Sequence, residues 1–244
     1  MTKPHRSGSR VSGEAGIVLH TRAYRETSVI VSIFTLHHGR IAAVAKGARG
    51  GRRTNALQPF NTLSLSWTGR GAMVTLTGYE SRTHPLLKGD AMAAAFYVVE
   101  LVTRLVGEHE SLPRIYAALE WSIESLSGGR PPMETVLRSF EKLLMAELGY
   151  GLDFAHDAST GLPVRADDGY RLDLERGFVS GPGSDAGAPE SETYSGQVLL
   201  DIAADRYESV ATRRAAKRIF RLALTAHLGP KPLTSRRLLF RGQR

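Results

Sequence analysis

The feature that most constrains the fold is a series of five short apolar runs in the first 80 residues. Residues 63–67 and 73–77 alternate apolar and polar side chains, which is the period of a half-buried β-strand. The other three runs, which begin near Gly16, Val29 and Arg40, are rich in β-branched or small apolar residues. Five strands joined by glycine-containing turns predict a small closed barrel.

Beyond residue 88 the apolar residues recur at helical spacing instead. This pattern predicts a helix that ends near Gly107, a second that begins at Pro113 and a third that is closed by Gly149. Residues 151–196 predict an irregular acidic loop with a short hairpin over 170–179. A long helix is predicted over 210–228, where Gly229 and Pro230 end it, and a short helix after Leu233.

These elements predict an α+β protein in three parts. Residues 1–12 are predicted to be a disordered basic tail, and residues 13–82 the barrel. Residues 83–244 are predicted to be a mainly α-helical domain that contains the acidic loop.

Charge is distributed unevenly along the chain, whose net charge is +8. Residues 1–80 hold 11 Lys and Arg against 3 Asp and Glu, and residues 201–244 hold the same numbers. Residues 81–200 hold 10 against 18. Two basic ends therefore flank an acidic middle block, and excess Lys and Arg favour a polyanionic partner.

Several classes of function find no support in the sequence. The chain has no cysteine, so disulfides and thiolate metal sites are excluded. It lacks the glycine spacings of nucleotide-binding loops and the nucleophile elbow of hydrolases. No apolar stretch approaches the roughly 20 residues of a membrane span. We therefore expect a cytoplasmic protein that is not an enzyme and has no cofactor.

Two groups of residues are weak metal candidates. His37 and His38 are adjacent, and adjacent side chains of a strand point to opposite faces. Asp153, His156, Asp157 and the Asp167–Asp168 pair lie in the acidic loop without a recognised ligand spacing. We predict no bound metal at either group.

The first basic segments favour single-stranded nucleic acid. Four cations, Lys46, Arg49, Arg52 and Arg53, crowd one glycine-rich loop after the third strand. Arg22 and Arg25 flank Tyr24 at the end of the first strand, where the tyrosine is expected to be exposed. Small barrels with basic loops and accessible aromatics bind single strands through phosphate contacts and base stacking. A solvated basic loop without a ligand is the alternative.

The long helix carries a second group of cations. Arg214, Lys217, Arg218 and Arg221 follow the spacing i, i+3, i+4, i+7 and so share one face. Beside them an apolar face is predicted, formed by Ala215, Ile219, Leu222 and Ala226. Three interpretations stay open for the cations: contact with a nucleic acid, a solvated face, or docking on the acidic middle block.

Long segments of the chain resemble the bacterial recombination mediator family RecO. The N-terminal match is carried by GIVLHTRAYRETSVIVSIFTLHHGRIAAVAKGAR and LQPFNTLSLSWTGRGAMVTL. The C-terminal match is carried by LRSFEKLLMAELGYGLDF and RRAAKRIFRLALTAHLGPKPLTSRRL. The resemblance implies that the barrel is an OB-fold, followed by a helical domain. It also implies a nucleoid-associated DNA repair protein that binds single- and double-stranded DNA and anneals complementary strands. Such a protein cooperates with the single-strand-binding protein SSB and with RecR to load the recombinase RecA.

The resemblance also assigns residues. It places Arg22 and Arg25, and Lys46 and Arg49, on the DNA-facing side of the barrel. It places Arg138 on a helix that helps to receive the C-terminal tail of SSB, with apolar contacts from Leu137, Phe140 and Leu144. A surface ion pair of Arg138 with Glu134 or Glu141 is the alternative.

The chain departs from some members of the family at one point. Those members carry a four-cysteine zinc module after the LGYG segment, where this chain has no cysteine. The loop must then be held by packing and hydrogen bonds. A basic RNA-binding or ribosome-associated module remains the alternative function.

Overall fold

The computed structural model describes residues 10–50, 55–180 and 193–239. Within these described ranges, five strands form a closed barrel in the N-terminal part, and six helices and a three-stranded sheet follow it. The prediction of an α+β protein with an N-terminal barrel is confirmed. The strands are β1 Arg10–Tyr24, β2 Ser28–Thr35, β3 Gly39–Ala45, β4 Thr62–Thr68, β5 Val74–Thr83, β6 Gly169–Asp173, β7 Gly177–Ser180 and β8 Thr193–Ser195. The helices are α1 Gly89–Leu105, α2 Pro113–Gly128, α3 Met133–Glu147, α4 Gly196–Ala203, α5 Val210–Leu228 and α6 Arg236–Leu239.

The barrel closes in the order β1-β2-β3-β5-β4. β1 is long enough to pair with β4 along its first half and with β2 along its second half, and β3 pairs with β5 in parallel. Gly16 allows close packing in β1, because a Cβ atom there would lie 2.5 Å from Cδ1 of the buried Leu65. Phe34, Phe60 and Trp67 are buried.

Strand β1 begins at Arg10, within the segment that was predicted to be a disordered tail. Arg10 pairs with Thr68, and Val11 pairs with Trp67, so residues 10–12 belong to the barrel. The rest of the predicted tail, residues 1–9, lies outside the described residues.

The chain forms two compact units. The first contains residues 1–128 and 233–244, and the second contains residues 129–232. Helices α1 and α2 thus belong with the barrel, whereas the sequence divides the chain after residue 82. Arg40 shows the reason: its Nε donates to the carbonyl oxygen of Val106 at 2.9 Å, and its own carbonyl oxygen accepts from the amide of His109 at 3.0 Å.

The C-terminal segment of the first unit docks on α1. Both carboxylate oxygens of Glu100 accept hydrogen bonds at the start of α6, from the amides of Thr234 and Ser235, each at 2.8 Å. Leu233 is buried beside them. The short helix predicted after Leu233 is confirmed as α6.

The second unit holds more regular structure than the sequence indicates. The hairpin predicted over 170–179 is confirmed as β6 and β7, but β8 and α4 were not predicted. Its core is aromatic: the ring of Phe154 lies 5.0 Å from that of Phe178 and 5.8 Å from that of Phe220 on α5. Helix α5 has the predicted bounds, Val210–Leu228.

Among the described residues, no helix combines the length and the apolar character that a membrane span requires.

Candidate nucleic-acid interface

The β1–β2 turn and the end of β3 lie together at one end of the barrel. Side chains from both border a groove of about 730 Å³, and they include three predicted residues, Tyr24, Arg25 and Lys46. Lys46 and Arg25 are exposed, whereas Tyr24 is half-buried rather than fully exposed. The barrel therefore brings together residues that are more than 20 positions apart in the sequence.

Arg25 has an unusual backbone conformation. Its φ is 55°, in the left-handed region that non-glycine residues seldom adopt. The Cζ atom of its guanidinium lies 5.1 Å from the centroid of the Tyr24 ring, within the range of a cation–π contact. The turn thus presents a positive charge beside an aromatic face, which suits contact with a phosphate and its base.

Arg49 ties the loop after β3 to this turn. Its Nη1 donates to the carbonyl oxygens of Arg25 at 3.0 Å and Glu26 at 3.4 Å, and its amide donates to the carbonyl oxygen of Thr27 at 2.9 Å. The neighbouring Ala48 is fully buried. Arg49 therefore positions the turn in addition to contributing charge.

Of the three remaining predicted cations near the barrel, the structure describes Arg22. Arg22 is exposed on β1, opposite Ile30 of β2. Arg52 and Arg53 lie outside the described residues.

The sequence missed several residues that border the groove. Val44 of β3 pairs with Thr75 of β5, and both line it with Thr27 and Ser28. Strand alternation places Val44 and Thr75 outside the barrel, but only the parallel pairing of β3 with β5 brings them together. Glu26 also borders the groove and opposes part of its positive charge.

The cations of α5 form an exposed face in the second unit. Arg214, Lys217, Arg218 and Arg221 are all exposed, and we call them the α5 stripe. Ser209 caps the helix by accepting from the amide of Ala211 at 3.1 Å.

The apolar face predicted beside the stripe is wrong in part. Ile219 is buried, but Leu222 and Ala226 are exposed and Ala215 is only half-buried. The helix instead buries the side that faces the aromatic core. This side consists of Thr212, Ala216, Ile219, Phe220, Ala223 and Leu224.

The α3 residues predicted to receive a partner are buried. Leu137, Phe140 and Leu144 are at most 5% exposed, and Arg138 is 6% exposed. The Nη1 atom of Arg138 lies 2.8 Å from Oε2 of Glu141, which is 1% exposed. The ion-pair alternative for Arg138 is therefore present, but it is a buried pair rather than a surface one. A partner role for these four side chains stays a prediction, and the accessible apolar face on which it depends is absent from the described arrangement.

The metal candidates of the acidic loop make hydrogen bonds within the protein. Asp157 is 4% exposed, and its Oδ1 accepts from the amide of Ser159 at 2.7 Å and from its hydroxyl at 2.6 Å. Its Oδ2 accepts from the amide of Ser180 at 3.2 Å. Burial works to raise the pKa of Asp157, but these hydrogen bonds outweigh it and hold the pKa well below its ordinary value. Asp157 thus joins the loop to β7.

The other candidates are similarly engaged. Nδ1 of His156 lies 2.9 Å from Oδ2 of Asp153. His37 donates its amide to Oε1 of Glu14 at 2.7 Å, and its Nδ1 lies 3.1 Å from Oε2 of the same carboxylate. Within the described ranges, no three His, Asp or Glu side chains are grouped as metal ligands.

Comparisons with known proteins cover nearly the whole chain. The family model described as "Recombination protein O N terminal" matches residues 11–84, and "Recombination protein O C terminal" matches residues 86–237. The two models meet close to the division predicted after residue 82.

Individual relatives match over similar lengths. A protein of Cellvibrio japonicus named DNA repair protein RecO is 38% identical over 236 residues, which are 96% of this chain and 98% of the relative. The protein of that name from Nitrosococcus oceani is 41% identical over 233 residues, 94% and 93% of the two chains. That of Vibrio cholerae is 40% identical over 225 residues, 91% and 90% of the two chains.

Proposed function

Because the chain belongs to the RecO family of DNA repair proteins and so has a role in recombinational repair, we propose that it anneals complementary single strands and helps to load RecA onto SSB-coated DNA. The observation that carries this proposal is the groove at the end of the barrel. There Arg25 lies beside the Tyr24 ring, Lys46 lines the same groove, and Arg49 joins the loop after β3 to the β1–β2 turn.

The groove supports binding of a single strand. Exposed cations attract the phosphates, and each phosphate contact releases counterions from the DNA. The half-buried Tyr24 ring and the exposed Arg25 guanidinium offer a surface on which an unpaired base stacks. None of these contacts reads a base edge, so binding is expected to tolerate any sequence, as annealing requires.

Annealing also requires that two strands meet. The α5 stripe lies in the other unit and presents four more cations. We propose that the groove and the stripe each contact a DNA backbone, which lowers the repulsion between the two strands. Either single-stranded or double-stranded DNA supplies the phosphates that the stripe needs.

Protein partners enter the proposal by membership of the family. We retain SSB, RecR and, functionally, RecA as partners. The buried α3 side chains do not offer the SSB tail an exposed surface, so the tail would reach Arg138 only if α3 moved away from its neighbours. We therefore propose SSB as a partner, but we do not propose that α3 offers its tail an exposed docking site.

An RNA-binding module would use a similar barrel and similar charge. The two functions are separated by an annealing assay on complementary DNA strands coated with SSB. A recombination mediator accelerates annealing of the coated strands, whereas an RNA-binding module need not. A control with complementary RNA strands measures whether the chain prefers RNA.

A further inference from the structure

A second groove lies within the second unit, between the β6–β7 hairpin and α5. Its volume is about 330 Å³, and its walls include Leu174 and Leu222. These leucines are 52% and 43% exposed, respectively. Two large apolar side chains that face one groove form a surface suited to a small apolar or aromatic group.

Polar groups of both kinds border the same groove. Arg171 and Arg218 supply guanidinium donors, and Asp173 supplies a carboxylate acceptor. Oδ1 of Asp173 accepts from the amides of Glu175 at 2.9 Å and Arg176 at 3.1 Å, so the turn fixes the position of the carboxylate. A ligand that fits must therefore combine an apolar face with both acceptors and donors.

An unpaired nucleobase has this combination. Its faces pack on apolar side chains or on guanidinium planes, and its edges carry carbonyl acceptors and amino donors. An acidic peptide suits the two arginines but would be repelled by Asp173. The carboxylate therefore favours the base as the occupant.

The groove is continuous with the α5 stripe. Arg218 belongs to both, and Leu222 lies one helical turn beyond Arg218 and directly after Arg221. A strand whose phosphates contact the stripe has its bases within reach of the groove. A duplex keeps its bases paired and stacked, so it cannot use the groove without loss of those contacts.

We propose that the groove between the β6–β7 hairpin and α5 binds one unpaired base of a single strand whose phosphates contact the α5 stripe. This inference depends on the DNA-binding function proposed above for the stripe. It makes α5 a site that distinguishes a single strand from a duplex.

The experiment isolates this site in the full chain. Arg22, Arg25 and Lys46 are replaced by Ala to weaken the barrel site, and Leu222→Ala or Leu174→Ala is then added to this background. Kd is measured at one salt concentration for three fluorescent ligands: a single strand of about 16 nucleotides, its duplex, and an abasic strand with the same number of phosphates. Leu162→Ala is the matched control, because Leu162 is 65% exposed and does not line the groove.

We expect the background to bind the single strand more tightly than the abasic strand. Leu222→Ala and Leu174→Ala should each weaken binding of the single strand about fivefold, which is the size of one lost base contact. Binding of the abasic strand and the duplex should change little. Arg221→Ala should weaken all three ligands alike, and Leu162→Ala none of them.

Other results would overturn the proposal in separate ways. If Arg221→Ala weakens every ligand but the leucine variants leave the preference for the single strand intact, the stripe binds DNA and the groove does not bind a base. If the background binds no DNA, the role of the stripe fails as well. If Leu222→Ala abolishes binding of an acidic, apolar peptide and leaves DNA binding unchanged, the groove is a peptide site.

Discussion

Arg49 donates a hydrogen bond from Nη1 to the main-chain carbonyl oxygen of Arg25, 3.0 Å away. This bond joins the loop after β3 to the β1–β2 turn, which are far apart in the sequence. The cations at the groove are therefore held as one group on a closed barrel. Their contributions to DNA binding should depend both on charge and on this connection.

The first prediction concerns charge at the barrel groove. Lys46→Ala should reduce the slope of log affinity against log salt for single-stranded DNA by up to about 0.7, the value for one phosphate contact. Replacing Lys46, Arg49, Arg52 and Arg53 together should flatten the slope further. Lys88→Ala is the matched control, since Lys88 is exposed in the same unit and does not line the groove. An unchanged slope in the fourfold variant would place the DNA site elsewhere.

The second prediction concerns the buried ion pair of α3. Arg138→Ala leaves the carboxylate of Glu141 buried without its cation, and removal of one partner from a buried pair costs about 3–5 kcal/mol of unfolding free energy. The double variant Arg138→Met/Glu141→Leu should recover most of this loss. Urea unfolding measures both variants. If Arg138→Ala is as stable as the wild type, the pair does not contribute to stability in solution.

A related prediction separates stability from partner binding at the same residue. If the SSB tail reaches Arg138 after α3 moves away from its neighbours, Arg138→Ala should weaken binding of an SSB tail peptide about tenfold and change single-stranded DNA binding little. The titrations must be made where the variant is still folded, as shown by its unfolding curve. Loss of DNA affinity with retention of the peptide would reverse the assignment.

The third prediction concerns the acidic loop. Chelation by EDTA should leave the melting temperature unchanged, because Asp157 is held by Ser159 and Ser180 instead of a metal. Asp157→Asn should lower the unfolding free energy by about 1–3 kcal/mol, since it weakens charge-assisted hydrogen bonds. The low pKa of Asp157 means that its contribution is present at neutral pH and is lost as the pH falls through the folded-state pKa. A drop of several degrees with EDTA would indicate a bound cation.

The fourth prediction concerns Glu100, which accepts from the start of α6. Partial burial acts to raise its pKa, but the hydrogen bonds from Ser235 and Thr234 outweigh burial and hold the pKa below its ordinary value. Since the folded-state pKa is lowered, its stabilisation is present above pH 4.5 and is lost as the pH falls through the folded-state value. Glu100→Gln should cost about 1 kcal/mol at pH 7, after allowance for its partial exposure. The difference from wild type should vanish in acid, as measured by unfolding at a series of pH values.

Much of the barrel is predictable from the sequence, because strand alternation and glycine turns are local signals. The bounds of α5 are likewise set by its Gly229–Pro230 end. The buried face of α5 was mispredicted because several apolar residues are spread around the helix, and only the aromatic core of Phe154 and Phe178 selects which side is buried. The ion pair of Arg138 with Glu141 is predictable, because the two residues lie one helical turn apart on α3. Its burial was missed, since arginine is seldom buried and burial depends on tertiary packing.

The candidate site also combines residues that the sequence predicts with contacts that it does not predict. Lys46 and Arg25 stand out in the sequence as cations near glycines and an aromatic residue. The connection made by Arg49 to the Arg25 carbonyl oxygen has no local signal, because it depends on how β3 pairs with β2. The groove beside α5 exists because the β6–β7 hairpin lies next to the helix. The apolar periodicity of the sequence cannot predict that the two are adjacent.

The most direct test of the account is the rate at which SSB-coated complementary DNA strands anneal. We expect the wild-type chain to accelerate annealing, and the variant with Arg25 and Lys46 replaced by Ala to lose most of that acceleration because phosphate contacts at the groove are removed. The Lys88→Ala control should anneal strands as the wild type does. An absence of acceleration by the wild-type chain, or equal acceleration by the groove variant, would contradict the account.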